Sequence, residues 1–442
     1  MKNTAVAPWL EGAHWPTVPI RLVARLGSGH TPSRSVPKYW DNCTVPWITL
    51  ADVWQLRSGT TNFIRETKEK ISTLGLANSA AVKHPAGTVI LSRTASVGFS
   101  AIMGADMATS QDFATWTCGP KLDPRYLLHS LRAMAPDLKR IATGSTHKTI
   151  YMPDIEQLRV PVPPMDEQRR IADFLDAETA RIDRLTVLRK SQVHCIEEQY
   201  FNTISEYTTP GVTSNAARSG QWPWLPAAVE VARLGYFARV QGGVTVHGAR
   251  TETPEDAEYP YLRVANVQNG AIDLSEVKSI TIPSSMAKQA SLRDGDVVIT
   301  EANGNPNNLG RGAVWHNEIP GMVHQNHVFA IRVNKERLLP EYVAILLASL
   351  HGRHYFRFTS SQVGIATTSS SKVLDFPIPL TVISRQKQVI DKCESARLAA
   401  DQAVKLLQRQ LELVTERRQA LITAAVTGQI DVSTASGRGI EE

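Results

Sequence analysis

The feature that most constrains this chain is an internal repeat that runs through nearly all of its 442 residues. The segment Val-Ala-Arg-Leu-Gly at residues 23–27 returns at residues 231–235. Further matches join residues 46–53 to 260–267, 87–91 to 295–299 and 161–163 to 377–379, and Gln111 to Gln325. A chain of this length suits two or three domains. The repeat therefore predicts two similar domains in direct repeat.

Each half has the same internal order, which indicates an α+β fold. Short β-branched runs between turn residues, at 89–91, 297–299 and 328–331, predict strands. Apolar spacing over residues 122–134 and 338–350 predicts a short helix near the end of each half. Each domain is therefore expected to be a mixed α/β structure.

A long charged segment without glycine or proline ends each half. Residues 166–207 place Ile171, Leu175, Ile182 and Leu185 at helical spacing, and residues 384–427 continue the pattern with Val404, Leu411 and Arg418. Each predicted helix has one apolar stripe, so the two helices satisfy their stripes against each other as an antiparallel coiled coil. At about 1.5 Å per residue, such a rod extends about 60 Å and sets the separation of the two domains.

The domain boundaries follow from these patterns and from a polar, breaker-rich stretch in the middle of the chain. We predict a first domain at 1–163, a first long helix at 164–207, a linker at 208–221, a second domain at 222–380, a second long helix at 381–430 and a flexible tail at 431–442.

Composition excludes several classes of protein. The first residues lack the apolar run of a secretory signal, and the longest apolar stretch, at 342–350, is too short to span a bilayer, so we expect a cytoplasmic protein without a membrane partner. The four cysteines stand far apart with no C-x-x-C pair, which argues against a zinc site or a disulfide framework. A net charge of +6 suits a polyanionic partner without proving one.

No catalytic motif is found in the sequence. The segment at 305–308 lacks the second proline and the aromatic residue of a base methyltransferase motif, and no phosphate-binding glycine loop occurs. The acidic and basic run at 66–70 has no upstream acidic partner for a metal nuclease, and the histidines at 316–327 have no cysteine or acidic companion with metal-ligand spacing. We therefore predict no catalytic residue, no metal site and no cofactor in this chain.

The loops, in contrast, are rich in the side chains that distinguish DNA bases or contact phosphates. Arg93 and Arg311 rank first because both lie near strand ends in corresponding regions of the two halves, whereas Gln111 and Gln325 are expected to hold the fold. The full set of predicted DNA-binding residues is Ser33, Arg34, Lys38, Arg93, His147, Lys148, Gln241, Arg250, Asn307, Arg311, Ser370 and Lys372.

Taken together, these segments resemble the specificity subunit of type I restriction-modification enzymes over nearly the full chain. The resemblance lies in residues 29–33, 39–40, 46–48 and 144–146, above all in Pro-Val-Pro-Pro-Met-Asp-Glu-Gln at 161–168, and in the C-terminal residues 416–431. The second half departs from the family pattern, because residues 381–386 replace the Pro-Met-Asp-Glu-Gln form with two inserted residues, and its Gly-x-Thr-Pro-Ser loop is missing.

The resemblance implies two target recognition domains that each read one part of a split, asymmetric target in double-stranded DNA. It also implies that the two long helices dock methyltransferase subunits, two in number, with restriction or translocase subunits as possible further partners. S-adenosylmethionine, ATP and Mg would then belong to those partners alone. The residues assigned to partner binding are Ile171, Leu175, Ile182, Leu185, Val404, Leu411, Arg417 and Arg418.

Two alternatives of different classes stay open at this point. The chain could be a stand-alone DNA-binding regulator or scaffold that uses its coiled coil as a spacer or to dimerise, or a nuclease with an unrecognised site. Co-purification with a methyltransferase would distinguish the first from a subunit. Metal-dependent cleavage by the isolated chain would identify the second.

Overall fold

Two units divide the chain between them, and the division falls within both long helices. A computed structural model describes residues 7–144, 148–245, 256–305, 308–361 and 365–433. Unit 1 comprises Met1–Lys190 with Gln408–Glu442, and unit 2 comprises Ser191–Leu407. Unit 1 is therefore built from both ends of the sequence.

The first half of the chain contains ten strands and five α-helices among its described residues. The strands are β1 (Thr17–Pro19), β2 (Ala24–Ser28), β3 (Val45–Ile48), β4 (Phe63–Ile64), β5 (Glu69–Ile71), β6 (Val89–Ser92), β7 (Ser100–Met103), β8 (Ala108–Thr109), β9 (Phe113–Cys118) and β10 (Arg159–Pro161). The helices are α1 (Thr73–Ala77), α2 (Pro124–Ala133), α3 (Ala135–Ile141), α4 (Met152–Glu156) and α5 (Met165–Thr208).

The second half repeats this order. Its strands are β11 (Val231–Arg233), β12 (Ala238–Gln241), β13 (Asp256–Leu262), β14 (Lys278–Pro283), β15 (Val297–Thr300), β16 (Ala302–Asn303), β17 (Gly312–Val314), β18 (Val323–His324), β19 (Val328–Val333), β20 (Ala366–Thr367) and β21 (Pro377–Pro379). Its helices are α6 (Ser284–Ala290), α7 (Pro340–Ala348), α8 (Leu350–Thr359), α9 (Ser370–Leu374) and α10 (Ile383–Thr427).

Each unit is built on a main sheet and a smaller mixed sheet. In unit 1 the main sheet has the strand order β2-β9-β6-β7-β4 and the smaller one β5-β3-β8. In unit 2 the corresponding orders are β12-β19-β15-β17 and β14-β13-β18. The central strands β6 and β15 are buried along their whole length, which explains their continuous apolar sequences. The predicted α+β fold in direct repeat is confirmed.

The strand register corrects the first sequence match on which the repeat was based. Residues 17–19 pair with β10, and residues 231–233 pair with β21 in the same way, so β11 corresponds to β1. The Val-Ala-Arg-Leu-Gly segment at 23–27 instead overlaps β2, which pairs with β9. The two pentapeptides therefore occupy different strands, and their identity is a coincidence of sequence within a genuine repeat.

The two long helices pack against each other within each unit. In unit 1, Ile171 of α5 shares a core with Val426 of α10, and further along α5 the Asp183 carboxylate lies 3.0 Å from Nε of Arg418. Residues later in α5 thus meet residues earlier in α10, as an antiparallel pair requires. In unit 2, Ile204 shares a core with Val389 and Cys393.

A glutamine at the start of each long helix fixes it to its own domain. Gln168 is fully buried, and its amide donates to the carbonyl oxygens of Lys121 and Pro163 while its oxygen accepts from the backbone N–H of Asp123. Gln386 repeats all three bonds with Arg337, Thr381 and Leu339. The altered sequence at residues 381–386 therefore keeps the same helix start.

A part-buried polar network adds a second attachment in unit 1. Arg132 of α2 donates to the Asn62 side-chain oxygen at 2.7 Å, and the Asn62 amide donates to Asp176 of α5 at 2.9 Å. Burial, with the nearby positive charge of Arg418, lowers the pKa of Arg132 to about 10, so its guanidinium stays charged at neutral pH. By register with α2, unit 2 has Ile345 and Ala348 in the places of His129 and Arg132, and these side chains pack on an apolar core.

Candidate nucleic-acid interface

One end of the main sheet in unit 1 gathers four loops. The backbone N–H of His30 donates to the Thr109 carbonyl at 3.0 Å, and that of Arg93 donates to the Asp112 carbonyl at 2.8 Å. The N–H of Ile150 donates to the Arg93 carbonyl at 2.8 Å. We call this end, made of residues 29–35, 93–99, 109–112 and 148–150, the reading edge of unit 1. It collects most of the polar loops that the sequence singled out in this half.

The same end of the sheet in unit 2 has the same construction. The N–H of Val244 donates to the His324 carbonyl at 2.7 Å, that of Glu301 to the His327 carbonyl at 2.9 Å, and that of Thr368 to the Glu301 carbonyl at 2.9 Å. The reading edge of unit 2 therefore comprises residues 242–245, 301–305, 308–311, 324–327 and 365–368. The segment between β15 and β17, residues 301–311, is longer than the loop of residues 93–99 between β6 and β7 in unit 1.

A glycine without room for a side chain stands at the base of each reading edge. A Cβ on Gly29 would lie 1.9 Å from the Thr109 carbonyl oxygen, and a Cβ on Gly243 would lie 2.1 Å from that of His324. The full Gly-x-Thr-Pro-Ser motif is missing from the second half, as expected, but part of the loop is retained. Gly243-Val244-Thr245 occupies the place of Gly29-His30-Thr31, although the following Pro-Ser is absent from the sequence.

Backbone hydrogen bonds also revise two residue equivalences. The N–H of Ser110 donates to Ile48 and that of Gln325 to Leu262, both at 2.9 Å, so Ser110 matches Gln325 and Gln111 matches Asn326. Arg311 matches Phe99, because their carbonyls accept from Thr300 and Ser92 respectively. Arg93 and Arg311 thus both lie on the reading edges of their own units, but they occupy different positions in the strand register.

Both glutamines nevertheless hold local structure. The Gln111 side-chain oxygen accepts from the Thr31 hydroxyl at 2.8 Å, and that of Gln325 is 3.4 Å from the backbone nitrogen of Val264. His324 also supports its edge, because Nδ1 lies 2.7 Å from the Val328 carbonyl. Burial lowers the pKa of His324, which keeps its ring neutral, so Nδ1–H is the donor to Val328.

The predicted DNA-binding residues of unit 1 lie on or beside its reading edge, with one outside the described residues. Ser33 and Lys38 are exposed. The Arg34 side chain is 63% exposed, pairs with Glu69 at 3.0 Å and lies 4.5 Å above the Trp40 ring. Arg93 is half-buried with its Nε lacking a partner among the described residues, and Lys148 is exposed. His147 lies outside the described residues.

In unit 2 the predicted residues are more dispersed. Gln241 ends β12 beside the reading edge, and Ser370 and Lys372 lie in α9, which begins two residues beyond it. Arg311 belongs to the edge, but its side chain lines a cavity with Leu347 and Arg353. Arg250 and Asn307 lie outside the described residues.

The residues predicted to bind partner subunits separate into buried and accessible groups. Ile171 and Leu175 belong to the core of unit 1, and Ile182 is only 8% exposed, so these three offer little surface for docking. Leu185 is 39% exposed and Arg417 is exposed, whereas Val404 and Leu411 are half-buried. Arg418 is largely engaged inside the chain, with Asp183 and with the Gly59 carbonyl at 2.8 Å.

Sequence reasoning missed three charged or titratable residues at the reading edges: Asp112 in unit 1, and Glu301 and His327 in unit 2. The Nδ1 atom of His327 lies 2.9 Å from the Glu301 carboxylate. Loops rich in cations and amides indicate DNA contacts, whereas a loop carboxylate gives no such signal because phosphates repel it. The histidines at 316–327 were interpreted only as candidate metal ligands.

Among the described residues there is neither a metal-binding cluster nor a membrane-spanning helix. Over that part of the chain, three or more histidine, cysteine or acidic side chains nowhere group so as to hold a metal ion. Among the described helices, none combines the length and apolarity needed to span a membrane.

Comparisons with known proteins show which proteins this chain is similar to. A family model described as the type I restriction modification DNA specificity domain matches residues 13–193. The MjaIX specificity subunit of Methanocaldococcus jannaschii is 25% identical over 265 residues, covering 58% of this chain and 59% of the relative. The EcoKI specificity subunit of Escherichia coli K12 is 22% identical over 301 residues, covering 66% and 62%. The matched part thus spans about three-fifths of these relatives.

A solved structure shares the fold. It describes complex assembly and conformational transition of the type I R-M system, and one of its chains superposes with a TM-score of 0.68 at 16% identity. The match covers 94% of this chain and 98% of that one. At this level of identity the superposition establishes the fold.

Proposed function

We propose that this chain recognises a specific DNA sequence as the specificity subunit of a type I restriction-modification enzyme, because residues 13–193 match the family model described as the type I restriction modification DNA specificity domain. Each unit reads one part of a bipartite target in double-stranded DNA through its reading edge. The chain performs no catalysis, and S-adenosylmethionine, ATP and Mg serve the partner subunits. Such a protein acts in the cytoplasm, where the DNA is.

The observation that carries the proposal is the pair of reading edges. The two have the same backbone frame, seen in the paired hydrogen bonds of Arg93 and Glu301, yet many of their side chains differ. A common frame with different polar side chains suits two readers of different sequences, because base edges are distinguished by the pattern of hydrogen-bond donors and acceptors. An asymmetric, two-part target follows from this combination.

Apolar side chains exposed on the long helices support a role in docking methyltransferase subunits. In unit 1, Leu188 is 62% and Leu413 is 47% exposed, and in unit 2, Leu398 is 55% and Leu406 is 60% exposed. Aliphatic side chains of this size are buried at stable protein interfaces. Each unit therefore offers a helical surface to a modification subunit, which gives two in total.

The decisive test is selection of bound sequences from a randomised duplex DNA library by the full chain, expressed with and without the products of its neighbouring genes. We expect a motif of two defined parts around an undefined spacer, together with co-purification of a methyltransferase. Arg93→Ala should relax only one part and Lys372→Ala only the other. A continuous motif bound by a stable lone chain would instead identify a regulator.

A further inference from the structure

Two register-equivalent positions carry opposite charge patterns in the two reading edges. In unit 1, the N–H of Arg93 bonds to the carbonyl of Asp112, and in unit 2 the N–H of Glu301 bonds to the carbonyl of His327. The position that follows the central strand is thus a cation in unit 1 and an anion in unit 2. The facing position changes from a carboxylate to an imidazole. Nothing in the backbone frame requires this exchange, since the frame is the same.

A carboxylate at this place needs an explanation, because phosphates repel it. Glu301 is 26% exposed and His327 is 51% exposed, so solvent and a ligand can reach both side chains. The Nδ1 atom of His327 forms a hydrogen bond of 2.9 Å with Oε2 of Glu301, in which the carboxylate oxygen is the acceptor. Among the residues that the structure describes, Oε1 has no hydrogen-bond partner, and it remains available as an acceptor.

A carboxylate that is fixed by one oxygen is suited to accept a hydrogen bond from an amino group. In the major groove, cytosine presents its N4 amino group, and Glu and Asp accept from it, whereas Arg donates to O6 and N7 of guanine. Opposite charges at one register position therefore correspond to opposite hydrogen-bonding preferences.

We propose that Glu301, oriented by His327, determines specificity in unit 2 by accepting from the amino group of a cytosine, and that Arg93 selects a guanine at the equivalent place in unit 1. This inference rests on the proposed function, since it names bases for reading edges that are themselves proposed. His327 is a positioning residue in this scheme, and Glu301 contacts the base.

The test compares Glu301→Gln with Glu336→Gln in the full chain, using the same library selection. Glu336 lies beyond the opposite end of β19 and is exposed, so it matches the charge change away from the reading edge. Glutamine pairs with N6 and N7 of adenine, so E301Q should replace one cytosine of the motif by adenine, with a change in preference of about tenfold or more. E336Q should select the wild-type motif.

A second variant transplants the pair of unit 1 into unit 2. Glu301→Arg combined with His327→Asp should change the same motif position to guanine, while the other half of the motif stays as in wild type. His327→Ala should weaken the preference for cytosine without creating a new one. Thermal unfolding of each variant confirms that it is folded before its motif is interpreted.

The outcomes separate this inference from the proposed function. If wild type selects a two-part motif and folded E301Q and E301R/H327D both retain it, Glu301 reads no base and the inference is wrong. A change in the half of the motif that responds to Arg93→Ala would overturn it as well. If wild type selects no motif, the proposed function itself fails.

Discussion

At the residue scale, two adjacent glycines offer a sensitive test of the reading edge in unit 2. A Cβ on Gly243 would lie 2.1 Å from one carbonyl oxygen and 2.4 Å from the next, whereas a Cβ on Gly242 would meet nothing within 4 Å. Gly243→Ala must displace residues 324–325 and should destabilise unit 2 by about 1–3 kcal/mol. It should also weaken binding to the selected DNA.

Gly242→Ala is the matched control, and it should leave both thermal unfolding and DNA affinity close to wild type. Affinity is measured by fluorescence anisotropy with a labelled duplex of the selected sequence. Equal behaviour of the two variants would show that the close backbone approach has no importance for the edge.

The two buried glutamines should be equally important in their own units. Replacing the fully buried Gln168 by Leu leaves two carbonyl oxygens and one N–H, all buried or part-buried, without their present partners. We expect a loss of stability of about 2–3 kcal/mol, since each unsatisfied buried group costs about 1–3 kcal/mol and some rearrangement occurs. Gln386→Leu should do the same in unit 2.

Chemical denaturation followed by circular dichroism measures both losses. The exposed Gln199→Leu, on the same helix α5, serves as the control and should change stability by less than about 0.5 kcal/mol. A Gln168→Leu protein as stable as this control would mean that the three bonds contribute nothing to the helix start.

The pairs of residues that face each other at the reading edges were less predictable than the location of the edges. The sequence located the loops, because polar residues between strand patterns mark sheet ends. It could not show that Arg93 faces Asp112 and that Glu301 faces His327, since these pairs depend on strand register. Three of the residues predicted to bind partners, Ile171, Leu175 and Ile182, are instead buried within the chain. The sequence could not show this, because an apolar helical stripe has the same pattern whether it packs on the chain's own core or on another protein.

At the element scale, a buried histidine fixes α8 to β21 and to the segment that precedes β11. The indole N–H of Trp224 donates to Nδ1 of His351 at 2.9 Å, so Nε2 carries the proton and donates to the Pro377 carbonyl at 2.7 Å. Protonation of Nδ1 would break the bond to Trp224. Burial lowers the pKa of His351 to about 4, from an ordinary value of 6.5.

This geometry predicts that unit 2 loses stability in acid. In the unfolded chain the His351 ring is protonated below about pH 6.5, whereas in the native protein it is protonated only below about pH 4. The contribution of the neutral ring to the free energy of unfolding is therefore fully present above pH 6.5 and decreases as the pH falls from 6.5 to 4. The loss attributable to His351 is about 3 kcal/mol. Urea unfolding at pH 7.5 and pH 4.5 should show it.

His351→Gln should reduce the difference between the two pH values, although its stability at pH 7.5 will be lower. The exposed His194→Gln on α5 should leave the difference unchanged. A pH dependence that survives in H351Q would assign the effect to other buried histidines, such as His324, whose pKa burial also lowers.

The helices and strands themselves were largely predictable from the sequence. Which strand of the first half is equivalent to which strand of the second half was harder to predict. The long helices were evident because 44 and 45 residues without glycine or proline keep an apolar stripe. The pentapeptide match failed because five identical residues carry no information on strand pairing. The equivalence of β1 with β11 became clear only from their shared partners, β10 and β21.

At the scale of the whole molecule, unit 1 depends on sequence from both ends of the chain. Ile422, Ala425 and Val426 of α10 are fully buried in its core. The Gln419 amide donates to the Ala133 carbonyl at 3.1 Å, and the N–H of His14 donates to the Thr427 carbonyl at 2.8 Å. A fragment that ends after the first long helix lacks all of these contacts.

We therefore expect residues 1–207 alone to unfold at a temperature well below that of unit 1 in the full chain, and a peptide of residues 404–433 to restore part of the loss when added in excess. Loss of three fully buried apolar side chains exposes a large core surface, at about 1.5–3 kcal/mol for each of the larger ones. Differential scanning fluorimetry measures the unfolding temperature, and binding of the peptide stabilises the fragment by mass action.

A peptide with Ile422→Asp and Val426→Asp should have no effect, because a carboxylate cannot enter the apolar site without a large desolvation penalty. If residues 1–207 unfold at the full-chain temperature without any peptide, the end of α10 is dispensable, and unit 1 folds from the first half of the sequence alone.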